Sequence, residues 1–360
     1  MRKLIIFTGL LLTLALIFTT GCERKVINEL AENLANDATP CFTCHSDQNF
    51  ALVSAEEQWK DSKHASGENI DRNHYNSSFY GACEQCHTSE GFLRVVAGEE
   101  VESEHFTAIG CFTCHQPHSK GSLELRVTSA ATLLNSAVYD KGSSNTCAPC
   151  HQSRVNVDTY VVDNASLSLR WGPHHSNHSD MLLGTNAYEY ANYEYDNSPH
   201  TNVTIDGCVD CHMSASGDYT LGGHSFGMYD EEKDHENKTG CNTSNCHDGD
   251  VDEFDLAADD DFDWDGTEEG VQAEVQGLLD SLEHILETAG LLEDEHPLSV
   301  TVATADSAGA VFNWLFVHED RSLGIHNTEY AVGLLQSSIN YMIHGDPEGA
   351  PQGVAFLNKQ

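Results

Sequence analysis

Twelve of the thirteen cysteines in this 360-residue chain fall into six pairs, and a histidine directly follows the second cysteine of each. The groups are Cys41-Cys44-His45, Cys83-Cys86-His87, Cys111-Cys114-His115, Cys147-Cys150-His151, Cys208-Cys211-His212 and Cys241-Cys246-His247. Five have two residues between the cysteines; the sixth has four, Asn242 to Asn245. Cys-x-x-Cys-His is the attachment pattern of a c-type haem. The two thiols add to the two vinyl groups of one porphyrin, and the next residue lies against the ring and ligates the iron. The longer spacer is expected to loop out while leaving Cys246 and His247 adjacent. Competing readings explain less. Zinc sites pair Cys-x-x-Cys motifs with each other, a thioredoxin-type redox site needs a single pair, and disulfides leave the six histidines without a role. The sequence therefore predicts six haem c groups.

The start of the chain reads as an export signal. Met1-Arg2-Lys3 is basic, Leu4 to Phe18 carries no charge, and Thr19-Thr20-Gly21 precedes Cys22. A basic start, an apolar stretch and small residues at its end describe a secretory leader. The following cysteine suggests a lipoprotein signal with lipidation at Cys22, although Thr19 stands where that pattern usually has Leu. Ordinary cleavage nearby is the plainer alternative. The apolar run is shorter than the about 20 residues a spanning helix needs. The expected location is outside the cytoplasm: lipid-anchored at an outer membrane, at the cell surface, or periplasmic.

Acidic side chains outnumber basic ones 57 to 17, for a net charge of −40. Such a surface does not suit nucleic acid as a partner; cationic carriers or metal ions suit it better. A solvated surface accounts for most of the charge. Removing residues 1–21 leaves about 57 residues for each motif, with hydrophobic residues only 39% of the chain. That is thin for an ordinary core, and six haems would supply apolar bulk in its place. The expected fold class is mainly α, with extensive irregular loops wrapped around stacked covalent haems over residues 22–250.

The second axial ligand decides what a haem does. Two histidines fill both iron positions and favour electron transfer; an open position favours substrate chemistry. Six of the 21 histidines belong to the motifs. From the remainder, the sequence suggests His64, His118, His175, His200, His224 and His326 as distal ligands. His118 follows its own motif across Gln116-Pro117, which points it toward a neighbouring haem, with His105 as its rival. His174 and His175 are adjacent, so one is expected to ligate, and His175 is preferred. His74, His178, His235, His284, His296, His318 and His344 are read as solvent-facing or hydrogen-bonding.

Beyond His247 the character changes. Asp261-Phe262-Asp263-Trp264-Asp265-Gly266 matches the start of a calcium loop, with oxygens at positions 1, 3 and 5 and glycine at 6. Position 12 is Gln272 where the pattern wants Glu; Glu268, Glu269 or Glu274 would have to substitute. An acidic linker favouring the next helix N-terminus is the simpler alternative. The acidic segment, 251–270, precedes a C-terminal helical segment, 271–360. Val271, Val275, Leu278, Leu282, Ile285 and Leu286 recur at helical spacing, and Gly290 fits a stop. Ala308 to His318 suggests a second helix. A third starts after Asn327 as N-cap and runs to about Ile343. This unit is expected to pack on the haem domain.

Ala308-Gly-Ala-Val-Phe-Asn-Trp and Asp320-Arg-Ser-Leu-Gly-Ile-His326-Asn-Thr-Glu-Tyr resemble the C-terminal signature of multihaem cytochromes from metal-respiring bacteria. Those proteins are similar to the pentahaem nitrite reductase and octahaem reductase lineage. Cys114-His115-Gln-Pro-His118, Pro173-His174-His175 with Asp180-Met-Leu-Leu-Gly, and Cys208-Val-Asp-Cys211-His212-Met213 add to the likeness. The haem count and leader bring the chain near outer-surface hexahaem cytochromes, some of which polymerise into conductive filaments. The resemblance implies stacked bis-histidine haems relaying electrons to redox partner proteins or extracellular acceptors. A reductase of nitrite, hydroxylamine or a sulfur oxyanion is the alternative. All six motifs end in His and none in Lys, which counts against the nitrite reductase type. A purely structural surface lipoprotein leaves the haems unexplained.

Overall fold

A computed structural model describes residues 49–66, 83–100, 105–117 and 123–348. Cys22, Cys41, Cys44, His45, His74 and His118 lie outside the described residues. The chain divides into two units, residues 1–54 with 117–124 and residues 55–116 with 125–360. The second unit carries the motifs from Cys83 to His247 and the whole C-terminal segment.

Among the described residues, five helices exceed two turns: α1 (Phe50–Asp61), α2 (Ser89–Ala97), α3 (Val271–Thr288), α4 (Ala305–Asp320) and α5 (Thr328–His344). The strands described are two residues long and form four antiparallel pairs. The architecture is therefore mainly helical, with irregular loops and little sheet. No described helix is long and apolar enough to cross a membrane.

The apolar core lies in the last third. Helix α3 buries Val275, Leu278, Leu279, Leu282 and Leu286, a stripe at the spacing of one helical face. It ends at Thr288, and Gly290 two residues later takes φ of 69°, which glycine adopts without strain. Helix α4 is buried almost all round, from Ala308 to Val317, as a helix apolar on every side must be. It extends three residues earlier and two later than the sequence pattern indicates, because the Thr304 hydroxyl accepts from Ser307 N and caps its start. Helix α5 packs against both, and Trp314 Nε1 donates to Leu279 O at 3.0 Å, tying α4 to α3.

This core is shared with the middle of the chain. Val157, Leu167, Trp171 and Met181 belong to the same cluster. Ala165–Ser166 pairs with Thr301–Val302. Asn327 precedes α5 as expected, but its side chain does not cap that helix. It is fully buried. Its Oδ1 accepts from Ser198 N and Ser198 Oγ, and its Nδ2 donates to Met181 O and Asn197 Oδ1. Satisfying those four groups across the interface outweighs capping one helix end.

Gly309 brings α4 against the Tyr188 ring: a Cβ there would meet Tyr188 Cδ1 at 2.1 Å. The ring has little freedom to retreat, since Tyr188 N donates to Asn313 Oδ1 at 2.9 Å and its hydroxyl donates to Asp306 at 2.6 Å. Gly309→Ala is expected to destabilise the protein by about 1–3 kcal/mol. Thermal melting followed by circular dichroism checks this; an unchanged midpoint would contradict the packing.

Candidate haem sites

The motif spacing has a local reason. One turn of helix puts residues i, i+3 and i+4 on one face, so both cysteines and the histidine point the same way. Turns of helix occur at Glu84–His87, Cys111–Cys114 and Cys208–His212. One hydrogen bond recurs. The motif histidine N–H donates to the first cysteine's carbonyl: His87 to Cys83 at 3.1 Å, His115 to Cys111 at 2.9 Å, His151 to Cys147 at 3.0 Å, and His247 to Cys241 at 3.0 Å. The sixth motif closes the same bond over a longer ring, so its two extra residues bulge without displacing His247. None of the described motif cysteines is in a disulfide.

The turns are also brought side by side. Cys86 Sγ approaches Pro149 O, and Cys150 Sγ approaches Gln85 O, both at 3.8 Å, so motifs two and four face each other reciprocally. Cys86 and Cys150, Cys147 and Cys208, and Cys211 and Cys241 lie close enough for each thiol to shift the titration of its partner. Ser89 Oγ meets Thr113 Oγ1 at 2.7 Å, linking motifs two and three. The attachment turns therefore run three, two, four, five, six through space.

Each described motif histidine faces a histidine from elsewhere in the chain. Ring centroids are 6.2 Å apart for His87 and His174, 6.2 Å for His115 and His224, 6.0 Å for His151 and His64, 6.1 Å for His212 and His326, and 6.1 Å for His247 and His200. A metal holds an imidazole nitrogen at about 2.0–2.1 Å, and the centroid lies about 1.1 Å further out, so two imidazoles on opposite sides of one metal stand about 6.3 Å apart. Rotation about that axis is free, which fits interplanar angles from 36° to 76°. The donor set and its spacing therefore fit haem iron.

The second ring nitrogen is accounted for in several pairs. His212 Nδ1 meets Phe226 O at 3.0 Å, and His200 Nδ1 meets Ile325 O at 2.7 Å. A carbonyl only accepts, so Nδ1 carries the proton and Nε2 presents its lone pair. His326 Nδ1 lies 2.8 Å from Asp320 Oδ1. Burial also keeps His64, His87, His151, His212 and His224 below the usual imidazole range, and His174 is pushed down to about 3. Neutral imidazole is the form that binds a metal.

One histidine departs from the sequence reading. His174, not His175, faces His87; His175 has a side chain 53% exposed, with Nδ1 3.9 Å from Glu319. The reason is backbone shape. His174 adopts φ of 71°, a left-handed conformation rare for a side chain of this size. Arg154 N and Ser153 Oγ hold the preceding Pro173 carbonyl, which fixes that turn. Strain of this kind, roughly 1–3 kcal/mol, persists where the surroundings impose it. His174 Nδ1 is buried without a hydrogen-bond partner. His178, read as solvent-facing or hydrogen-bonding, takes the second form: it sits between His151 and His326, with ring centroids 5.2 and 6.0 Å away. Its Nδ1 is 3.4 Å from His151 Nδ1, closer than the about 4 Å that two nitrogens on opposite sides of one metal require. His178 thus contacts a motif histidine directly. Elsewhere, His318 stacks on Trp314 at 4.6 Å and His235 lies 3.8 Å from Asp218.

Sequence reading missed several supporting residues. Gln58 of α1 accepts from His224 N at 3.2 Å, and Trp59 Nε1 donates to Ile109 O at 2.8 Å, fixing the segment before His64. The Phe226 ring packs 4.9 Å from His64 and 6.3 Å from His224. Nothing in their local sequence marks Gln58 or Phe226. Asp320 and Asp180 stand within the segments that carry the family resemblance, but their roles emerge only with the contacts.

In the acidic loop, oxygens of Asp261, Asp263 and Asp265 converge within 4.8 Å of one another. Asp261 Oδ1 is buried and unpartnered. Burial, followed by the neighbouring carboxylates, raises Asp263 to about 6. Glu274, one of the substitutes suggested for position 12, accepts from Asp263 N and Glu269 N. Gln272 donates to Ser322 O.

Asp180 ties the fourth motif to the loop bearing His178. Its Oδ2 accepts from Ser153 N at 2.6 Å and its Oδ1 from Asn186 at 3.0 Å. Burial pushes its carboxyl up to about 6. The folded state thus binds this proton more tightly than the unfolded chain, and the stability it contributes is full below about pH 4 and lost as pH rises through about 6. Asp180→Asn does not titrate, so the parent should lose on the order of 2 kcal/mol relative to it between pH 4 and 7. Urea midpoints at the two pH values check this; parallel profiles would contradict it.

No protein-family model matches the chain, and no curated protein does. Among solved structures, the crystal structure of the outer cell wall cytochrome OcwA is similar at 18% identity with a TM-score of 0.49, covering 80% of this chain and 50% of that one. The chain therefore spans about half the length of that neighbour.

Proposed function

We propose that the chain is a multihaem c-type cytochrome that conducts electrons through six haem c groups with bis-histidine irons. The observation that carries this reading is the set of five imidazole pairs, each joining a motif histidine to a distant one at 6.0–6.2 Å. Haem held between these paired histidines would supply one-electron transfer. The protein's part is to fix the rings and, by burying His64, His87, His151, His174, His212 and His224, to favour their neutral form. The thiols Cys83, Cys86, Cys111, Cys114, Cys147, Cys150, Cys208, Cys211, Cys241 and Cys246 would attach five haems, with distal ligands His174, His224, His64, His326 and His200 in motif order. Cys41, Cys44 and His45 would attach the sixth, with His118 as its partner. The continuous run of attachment turns supports electron hopping between neighbours.

A reductase needs one iron with an open axial position. Matched pairs argue against that for motifs two to six, which leaves the His45 iron as its only place. The same proposal puts the chain outside the cytoplasm, tethered by lipid at Cys22, with redox proteins, extracellular acceptors or further copies in a filament meeting the end haems. Calcium at Asp261, Asp263 and Asp265 is part of it, supported by the unpartnered buried oxygen of Asp261.

Two adjacent substitutions test the ligand set. His174→Ala is expected to leave the His87 iron without its second imidazole and to add a high-spin signal worth one haem. His175→Ala is expected to leave the spectrum unchanged. The reverse outcome would overturn the pairing. Calcium is expected to raise the melting temperature of the parent but not of Asp261→Asn; no effect on the parent would remove that site.

A further inference from the structure

We propose that Asp320 is a positioning residue for His326 and holds the haem between His212 and His326 at a more negative potential than a carbonyl partner would. The inference rests on the ligand reading above and concerns one iron of the six.

The geometry differs from the neighbouring pairs. His212 and His200 direct Nδ1 at carbonyls, and His151 directs it at an imidazole. His326 directs it at a carboxylate whose side chain is 1% exposed. Asp320 is the last residue of α4, and Arg321 follows in a left-handed conformation at φ 60°. That sharp exit turns the chain back within six residues. Ser322 completes the clamp: its hydroxyl donates to Asp320 Oδ2 and accepts from His326 N. Both carboxylate oxygens are therefore occupied, and the His326 ring is fixed at its backbone and at Nδ1.

This arrangement has two effects. A carboxylate only accepts, so Nδ1 keeps the proton and Nε2 is left for the metal. A carboxylate partner also raises the basicity of the ligating nitrogen, which favours the more highly charged iron. Reduction adds one electron, Fe(III) to Fe(II), and lowers the charge of the centre by one. A fixed, buried negative charge beside it opposes that step. Hydrogen bonding around a haem ligand and local charge are among the levers that set haem potential. No substrate or further oxidant is involved; the electron comes from the neighbouring haem.

The experiment is a spectroscopic redox titration of the six-haem protein and two variants. Asp320→Asn keeps the shape and removes the charge. One of the six components should shift to more positive potential, and the others should stay. Ser322→Ala removes a donor from Asp320 Oδ2 and makes that carboxylate a stronger acceptor; the same component should shift the opposite way. Asp320→Glu should restore most of the parent value. If no component moves in Asp320→Asn and Ser322→Ala while both keep six low-spin haems, the proposal is overturned. His326→Ala separates this from failure of the ligand reading: if it leaves all six irons low-spin, His326 is not a ligand at all. Should Asp320→Asn not accumulate with haem, the sign of the Ser322→Ala shift decides.

Discussion

The separation between paired imidazole rings is the constraint on which the rest of this structure depends. A ring pair near 6 Å is too far apart for a direct hydrogen bond and matches the separation of two imidazoles on one metal. Five pairs recur at 6.0–6.2 Å, each with one member next to an attachment cysteine. Their partners lie up to about 114 residues away, as with His212 and His326. Such distances mean that the local turn at each motif cannot build a site by itself. The fold has to bring a second segment to it.

The C-terminal core does much of that work. Helices α3, α4 and α5 bury a continuous apolar cluster with residues 157–187, each large side chain contributing roughly 1.5–3 kcal/mol. The short link between α4 and α5 then serves two pairs. It carries His326, and its Ile325 carbonyl accepts from His200. Asn327 locks the same link to residues 181, 197 and 198. Asn177, beside His178, donates to Phe316 O in α4. A packed core directly behind the loops that carry the paired histidines suppresses small displacements of those rings.

What is legible in the sequence depends on what each signal encodes. Cysteine spacing reports a local covalent requirement, so the six Cys-His motifs can be read directly as candidate attachment sites. Helical periodicity reports one buried face, so α3 and α5 are visible; α4, buried on every side, shows weaker periodicity and reads short at both ends. The histidines proposed as distal ligands depend on long-range contacts. His64, His200, His224 and His326 can be nominated from sequence, but their partners cannot. The choice between His174 and His175 turns on a left-handed backbone conformation that adjacent identical residues do not reveal. His178 reads only as solvent-facing or hydrogen-bonding, because nothing nearby in sequence shows that His151 and His326 close around it. Asn327 reads at the right position with the wrong role, since an N-cap and an interface amide look alike in sequence.

The central claim is that both axial positions of every iron are filled by imidazole. Electron paramagnetic resonance of the oxidised parent protein, with spins counted against total iron, tests it most directly. The account expects six low-spin ferric haems per chain and no high-spin signal of comparable weight. A stoichiometric high-spin iron that binds cyanide, nitrite or hydroxylamine would contradict it and would move the chain from conductor to reductase.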